Sequence, residues 1–238
     1  MLNFTSFQSE ISLLPQAGRP LQLVPEFPDV PVLRSTLLRL EVMVQAPCVD
    51  LREFSQLILE DLGATVQIFR LAGREYGSSE GRPNRIEDCI ADLGLQACMD
   101  AVSAQMLPFE TRSSEINETW DHSREIAVYA RLIAEESPDM NPDEAYLVGL
   151  LHSIGVLPKV LGWESKKSKP VDPELAAFRL ANNWSMPSCV IEFFCELQNP
   201  GRIMRWTNLI QTAHELANRS SIGCPLEHTF RPQLHKRA

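Results

Sequence analysis

LVGLLHSIGVLP, Leu147 to Pro158, reads as a buried apolar helix with a histidine, His152, in its middle and Ser153 beside it. A buried imidazole needs a hydrogen-bond partner or a site to serve, because an unpaired polar group in an apolar interior is costly. Just upstream, Asn141-Pro142-Asp143-Glu144 is a strong helix start. Asparagine caps, proline fits the first turn, and the two acids favour the positive end of the helix dipole. The spacing therefore places LVGLLHSIG on the helix that Asn141 opens.

The same three- and four-residue apolar spacing recurs along the chain. VLRSTLLRLEVMVQ, from Val32, predicts a helix that stops before Pro47, and LREFSQLILED predicts another after Asp50. ATVQIFRLAG predicts a third, ending at Gly73; IEDCIADLG a short one capped by Gly94; LQACMDAVSAQML follows directly. A loop rich in Ser, Glu and Thr, from Glu110 to Glu118, divides the chain. Beyond it lie TWDHSREIAVYARLIAEE, the Asn141 helix, the polar connector GWESKKSKPVD, and helices after Pro187 (SCVIEFFCEL) and Gly201 (RIMRWTNLIQTAHELANR). Alternation of period two and Asn-Gly or Asp-Gly hairpin turns between apolar runs are both missing, so the expected fold class is all-α. Residues from Ser220 onward have little periodicity and read as an extended tail.

Three of these helices each turn a histidine toward the apolar side. His122 continues the stripe Ile126, Tyr129, Ile133; His152 shares a face with Ala145, Val148 and Gly155; His214 extends Ile203, Thr207, Ile210 toward Ala217. Two readings stand side by side. The three imidazoles converge on one site, or each is a core residue bonded to backbone or a neighbouring side chain. Adjacent residues on a helix point about 100° apart, so neither His152-Ser153 nor His122-Ser123 makes a ready nucleophile–base couple.

The net charge of −9, from 22 Lys plus Arg against 31 Asp plus Glu, repels phosphate backbones, so nucleic acid is not an expected partner. Lys166, Lys167 and Lys169, and the segment from Arg231 to Arg237, read as solvated loops rather than basic patches. No apolar run approaches the ~20 residues of a membrane span, and MLNFTSFQSEISLLPQ lacks the basic start and continuous apolar block of a secretory signal. The six cysteines form no CxxC pair and read as reduced, mostly buried thiols of a cytoplasmic protein, Cys189 and Cys195 being structural. Phe193, Phe194, Trp184 and Trp206 read as core. Neither GxxxxGK[ST], GxGxxG nor GxSxG occurs.

Taken together, Trp120-Asp121-His122-Ser123, Gly149-Leu150-Leu151-His152-Ser153-Ile154-Gly155 and Trp184-Ser185-Met186-Pro187 resemble the HD superfamily, and within it the HDOD (HD-related output domain) branch. The resemblance runs from about Pro25 to Asn218. PEFPDVPVLRSTLLRL and the helices through Leu107 look like the non-catalytic helical half of that branch. It implies an HD-like multi-helix bundle with an additional N-terminal helical subdomain. Residues 1–19 are an expected extension, 20–219 the domain (20–110 the N-terminal helical part, 111–219 the HD-like part), and 220–238 the tail.

Active HD phosphohydrolases hold one or two divalent metals with a histidine, a His-Asp pair and a later aspartate. By resemblance, His122 matches the first histidine and His152 the histidine of the pair. Ser153 stands where the pair's aspartate belongs, and His214 stands where the final aspartate is expected. Leu197-Gln198-Asn199-Pro200 replaces two adjacent histidines before Asp-Pro. A serine hydroxyl is a poor substitute for a carboxylate that bridges metals and helps lower the pKa of bound water. Loss of both acids removes the charge that favours Mg²⁺ or Mn²⁺. The expectation is a bacterial, non-catalytic signalling regulator with no cofactor. Its expected partners are signalling proteins, with self-association as a homodimer and a nucleotide in the old cleft as further options. Trp120, Asp121, Gln198 and Asn199 are the candidate cleft residues. The alternative is a divergent phosphohydrolase using a three-histidine Zn²⁺ site of His122, His152 and His214.

Overall fold

In the computed structural model, the described residues are 29–77, 83–104, 114–163, 172–199 and 204–220. Among them the regular elements are helices and no strand forms. The N-terminal half carries α1 (Arg34–Val44), α2 (Leu51–Leu59), α3 (Leu62–Tyr76), α4 (Ile86–Leu93) and α5 (Leu95–Ser103). The second half carries α6 (Ser114–Glu135), α7 (Pro142–Leu151), a 3₁₀ turn at Ile154–Val156 and the single turn α8 (Leu157–Val160). It closes with α9 (Pro173–Asn183), α10 (Ser188–Gln198) and α11 (Arg205–Ser220).

The helix starts follow from their caps. Asp50 accepts from the backbone N–H groups of Arg52 and Glu53, and Asn141 from those of Asp143 and Glu144. Each cap satisfies donors that have no partner inside the first turn. Gly94 ends α4 at φ 86°, a conformation that costs a residue with a Cβ. Five sequence expectations about the helices need correction. The third helix does not end at Gly73 but runs to Tyr76, because neither Gly73 nor Arg74 breaks the hydrogen-bond ladder and Gly77 supplies the stop at φ 60°. The expected dividing loop is helical from Ser114, since α6 starts five residues before Thr119. The last helix starts at Arg205 rather than directly after Gly201. A whole helix, α9, is missing from the sequence expectation, although Asp172 caps it and Pro173 opens it in the same grammar as Asn141-Pro142.

His152 is the correction that matters most. The apolar helix stops at Leu151, and His152 is its C-cap rather than its middle, with a 3₁₀ turn beyond. Nothing in the apolar pattern marks this stop, because the residues on either side are equally buried.

One apolar core runs through both halves. Trp184, Trp206, Phe193 and Phe194 are all buried in it, in line with their spacing. The pair α6 and α7 forms the tightest interface, with α11 packed on both and α10 on α7 and α11. Gly149 makes that interface possible. A Cβ there would sit 2.6 Å from Cα of Ala127, which is backbone that cannot rotate away. Gly149→Ala therefore forces α6 and α7 apart, and we expect a loss of about 2 to 3 kcal/mol, typical of an overpacked core. Chemical denaturation followed by far-UV circular dichroism measures it; a midpoint equal to that of the parent chain would contradict so close a crossing. Gly155 allows a second close approach, where a Cβ would meet the carbonyl oxygen of Pro173 at 2.0 Å.

The two halves are joined by polar contacts as well. Tyr146 donates its hydroxyl to the carbonyl of Leu59 at 3.1 Å, and Trp120 donates Nε1–H to Asp61 at 3.0 Å. Arg85 pairs with Asp143 across the same boundary at 3.3 Å. The expectations for residues 1–28, for Lys166, Lys167, Lys169 and Cys224, and for the segment after Ser220 lie outside the described residues.

Candidate functional site

The helix order brings the three histidines together. α6 contributes His122, the C-terminus of α7 contributes His152, and α11 contributes His214. Their ring centroids lie 5.2 Å (His122–His152), 5.1 Å (His122–His214) and 4.9 Å (His152–His214) apart. One ring nitrogen from each falls within 4.8 Å of the others. Convergence, one of the two readings left open by the spacing, is what the fold produces.

The axial position of α11 comes from its neighbour. Glu196 on α10 accepts from the backbone N–H groups of Trp206 and Thr207 and from the Thr207 hydroxyl, at 2.8 to 3.2 Å. A carboxylate at the first turn satisfies orphan donors and favours the helix dipole. That contact sets where His214 falls two turns later.

At His152, Nδ1 is 2.6 Å from the carbonyl oxygen of Gly149. A carbonyl only accepts, so Nδ1 carries the proton and the lone pair of the neutral ring is on Nε2. Nε2 of His152 is buried and has no hydrogen-bond partner, and the same is true of Nε2 of His214. Burial, with the other two imidazoles close by, holds the His152 pKa well below the usual histidine range. Burial and His122 push His214 down to about 4, and burial lowers His122. All three rings are neutral at pH 7, the form that donates a lone pair to a metal.

The serines make a contact that helical spacing does not foretell. Ser123 and Ser153 are buried, and their hydroxyls bond each other at 2.9 Å across the α6–α7 interface. The signal in the sequence is a repeated His-Ser step, His122-Ser123 and His152-Ser153: one partner of each step enters the cluster, and the others meet beside it. Ser153 is thus committed to Ser123, and neither serine is hydrogen-bonded to an imidazole.

The expected cleft residues do not gather there. Trp120 is 3% exposed and points into the core against Asp61, so it lines no open surface. Asp121 faces solvent and pairs with Arg124 at 3.1 Å. Gln198 and Asn199 are exposed at the end of α10. Cys189 is buried and its thiol is pushed up to about 12, which fits a structural role. Cys48, by contrast, is exposed.

Among the described residues, the cluster contains imidazoles and no carboxylate. A hard, oxygen-loving ion of the kind the HD resemblance implies does not fit this donor set. Two buried, unpartnered Nε2 atoms and a carbonyl that fixes the tautomer of His152 do fit a borderline ion that favours nitrogen.

The fold and this cluster define an HD-like helical protein. The HDOD domain model matches residues 30–200, and the chain belongs to the HDOD domain family. His214 lies beyond the matched segment. No curated protein matches the chain. Among solved structures, the MmoQ response regulator from Methylococcus capsulatus superposes with a TM-score of 0.65 at 20% identity, over 84% of this chain and 91% of that one. A virulence factor from Campylobacter jejuni superposes at 0.57 with 16% identity, over 79% of this chain and 77% of that one. At such identities the likeness is one of fold.

Proposed function

We propose that this chain is a non-catalytic regulatory protein of the bacterial, cytoplasmic signalling type, acting through non-covalent association with a protein partner. One observation carries the reading. The position where an HD hydrolase has its paired aspartate holds Ser153, whose hydroxyl is tied to Ser123. The later aspartate position holds His214, a neutral imidazole. A hydrolytic centre needs negative charge to collect hard cations and to ready a bound water. This cluster has none. Membership of the HDOD family and the likeness in fold to a protein described as a response regulator lend support. Among the described residues no helix is long and apolar enough to cross a membrane.

The test is turnover. The purified chain, supplied in turn with Mg²⁺, Mn²⁺ and Zn²⁺, is expected to release no phosphate from phosphomonoesters and to open no cyclic nucleotide above buffer. Turnover that disappears in His152→Ala would overturn the reading and establish the phosphohydrolase alternative. Equilibrium binding of the same nucleotides decides whether one is held without being cleaved.

A further inference from the structure

We infer that His122, His152 and His214 form a binding site for one borderline divalent transition ion of the Zn²⁺ class, with a coordination position left open. Such a site goes beyond the regulatory reading and does not depend on it, because an ion can be held for structure or sensing without catalysis.

Three features converge. The nitrogens come from three different helices, so their placement is set by the packing of α6, α7 and α11 rather than by a flexible loop. The ring nitrogens are unpartnered: Nε2 of His152, which holds a lone pair, and Nε2 of His214 are buried with no hydrogen bond, which a satisfied core histidine would not leave. The ring of His152 is oriented by donation of Nδ1–H to the Gly149 carbonyl, the outer-shell contact that metal-bound histidines commonly make.

The size is also suitable. Zn–N bonds of about 2.0–2.1 Å place tetrahedral ligand nitrogens about 3.3 Å apart. With the present nitrogens within 4.8 Å of each other, each ring moves inward by less than about 1 Å to close on the ion. Three imidazoles without carboxylate or thiolate favour Zn²⁺, Co²⁺, Ni²⁺ or Cu²⁺ over Mg²⁺, Mn²⁺ or Ca²⁺. A solvent molecule or a ligand oxygen completes the shell. The hydroxyls of Ser123 and Ser153, each next in sequence to one of the histidines, bond each other.

The full chain, stripped with a chelator and titrated at pH 7.5, tests this. Zn²⁺ is expected to bind at one equivalent and Mg²⁺ not at all, and Co²⁺ is expected to give the visible bands of a four-coordinate nitrogen and oxygen site. His152→Ala should weaken Zn²⁺ by at least about 100-fold. His122→Gln gives a second measurement at a half-buried position should His152→Ala fail to fold. The double variant His228→Ala, His235→Ala removes the two remaining histidines of the sequence and should bind as the parent does. Zn²⁺ below about a fifth of an equivalent would overturn the inference. So would binding that survives His122→Gln unchanged, binding lost in the His228, His235 double variant, or thiolate charge-transfer bands with Co²⁺.

Discussion

Asp61→Ala lowers the stability of the chain by on the order of 4 kcal/mol, because one carboxylate serves donors from three helices. Asp61 is fully buried. It accepts from the backbone N–H of Leu33 at 2.9 Å, from that of Ala64 at 3.1 Å, and from Trp120 Nε1–H at 3.0 Å. The Thr36 side chain bonds it as well. Burial raises its pKa, and these four donors pull it back. Alanine leaves every donor in a dry interior, at about 1 to 3 kcal/mol for each that finds no water. The same residue caps α3, positions the start of α1 and anchors α6 through Trp120, so its loss loosens the joint between the two halves. Asp61→Asn keeps the shape and one carbonyl acceptor but turns an amide N–H toward a donor, and roughly half the loss is expected. Guanidinium unfolding followed by tryptophan fluorescence and by circular dichroism measures both variants. An Asp61→Ala penalty under about 1 kcal/mol would mean that water reaches this joint.

Acid is the second large effect. In the metal-free chain, stability should fall by about 3 kcal/mol between pH 7 and pH 5. His152 is buried with its pKa well below 6.5, and His214 sits at about 4. Folded pKa values below the unfolded one mean that, between the two, the unfolded chain binds more protons. Stability from these groups is therefore complete above about pH 6.5 and is lost as pH drops through that value toward the folded pKa. Each ring contributes about 1.4 kcal/mol per pH unit within the window. The charges acting on His152 are the other two imidazoles, so protonating one ring makes the next harder to protonate in the folded state. The range from pH 7 to pH 5 lies above the ordinary carboxylate values; Asp61, whose pKa burial raises, acts there with the opposite sign, so the slope is read against that of Asp61→Asn. Urea midpoints at half-unit steps check the slope. A flat profile, or a midpoint that rises on acidification, would show that the three rings are solvated.

How far the cluster is legible in the sequence differs residue by residue. His122 and His214 sit mid-helix, where a 3.6-residue period points a side chain reliably, and the stripes Ile126–Tyr129–Ile133 and Thr207–Ile210–Ala217 aim them inward. His152 is aimed by the same rule on a helix that in fact stops one residue earlier. It still arrives at the cluster, because a C-cap keeps helical backbone angles, here φ −57° and ψ −30°. The Ser123–Ser153 bond, beyond the repeated His-Ser step that marks its residues, and the Asp61 hub are not legible. They join residues 30 and 59 positions apart, and no local period carries a distance across that separation.

Residue order alone determined the helical class, the helix start after Asp50, the capped start at Asn141, the inward faces of three histidines and the net negative charge. Each of these is a local property, set by side-chain period, capping chemistry or summed charge. Only the tertiary structure decided that three imidazoles share one point, that two of their ring nitrogens stay unpartnered, and that Trp120 belongs to the core. Those facts depend on helix crossings permitted by Gly149 and Gly155, where close backbone approach is chosen by the packing of the whole chain.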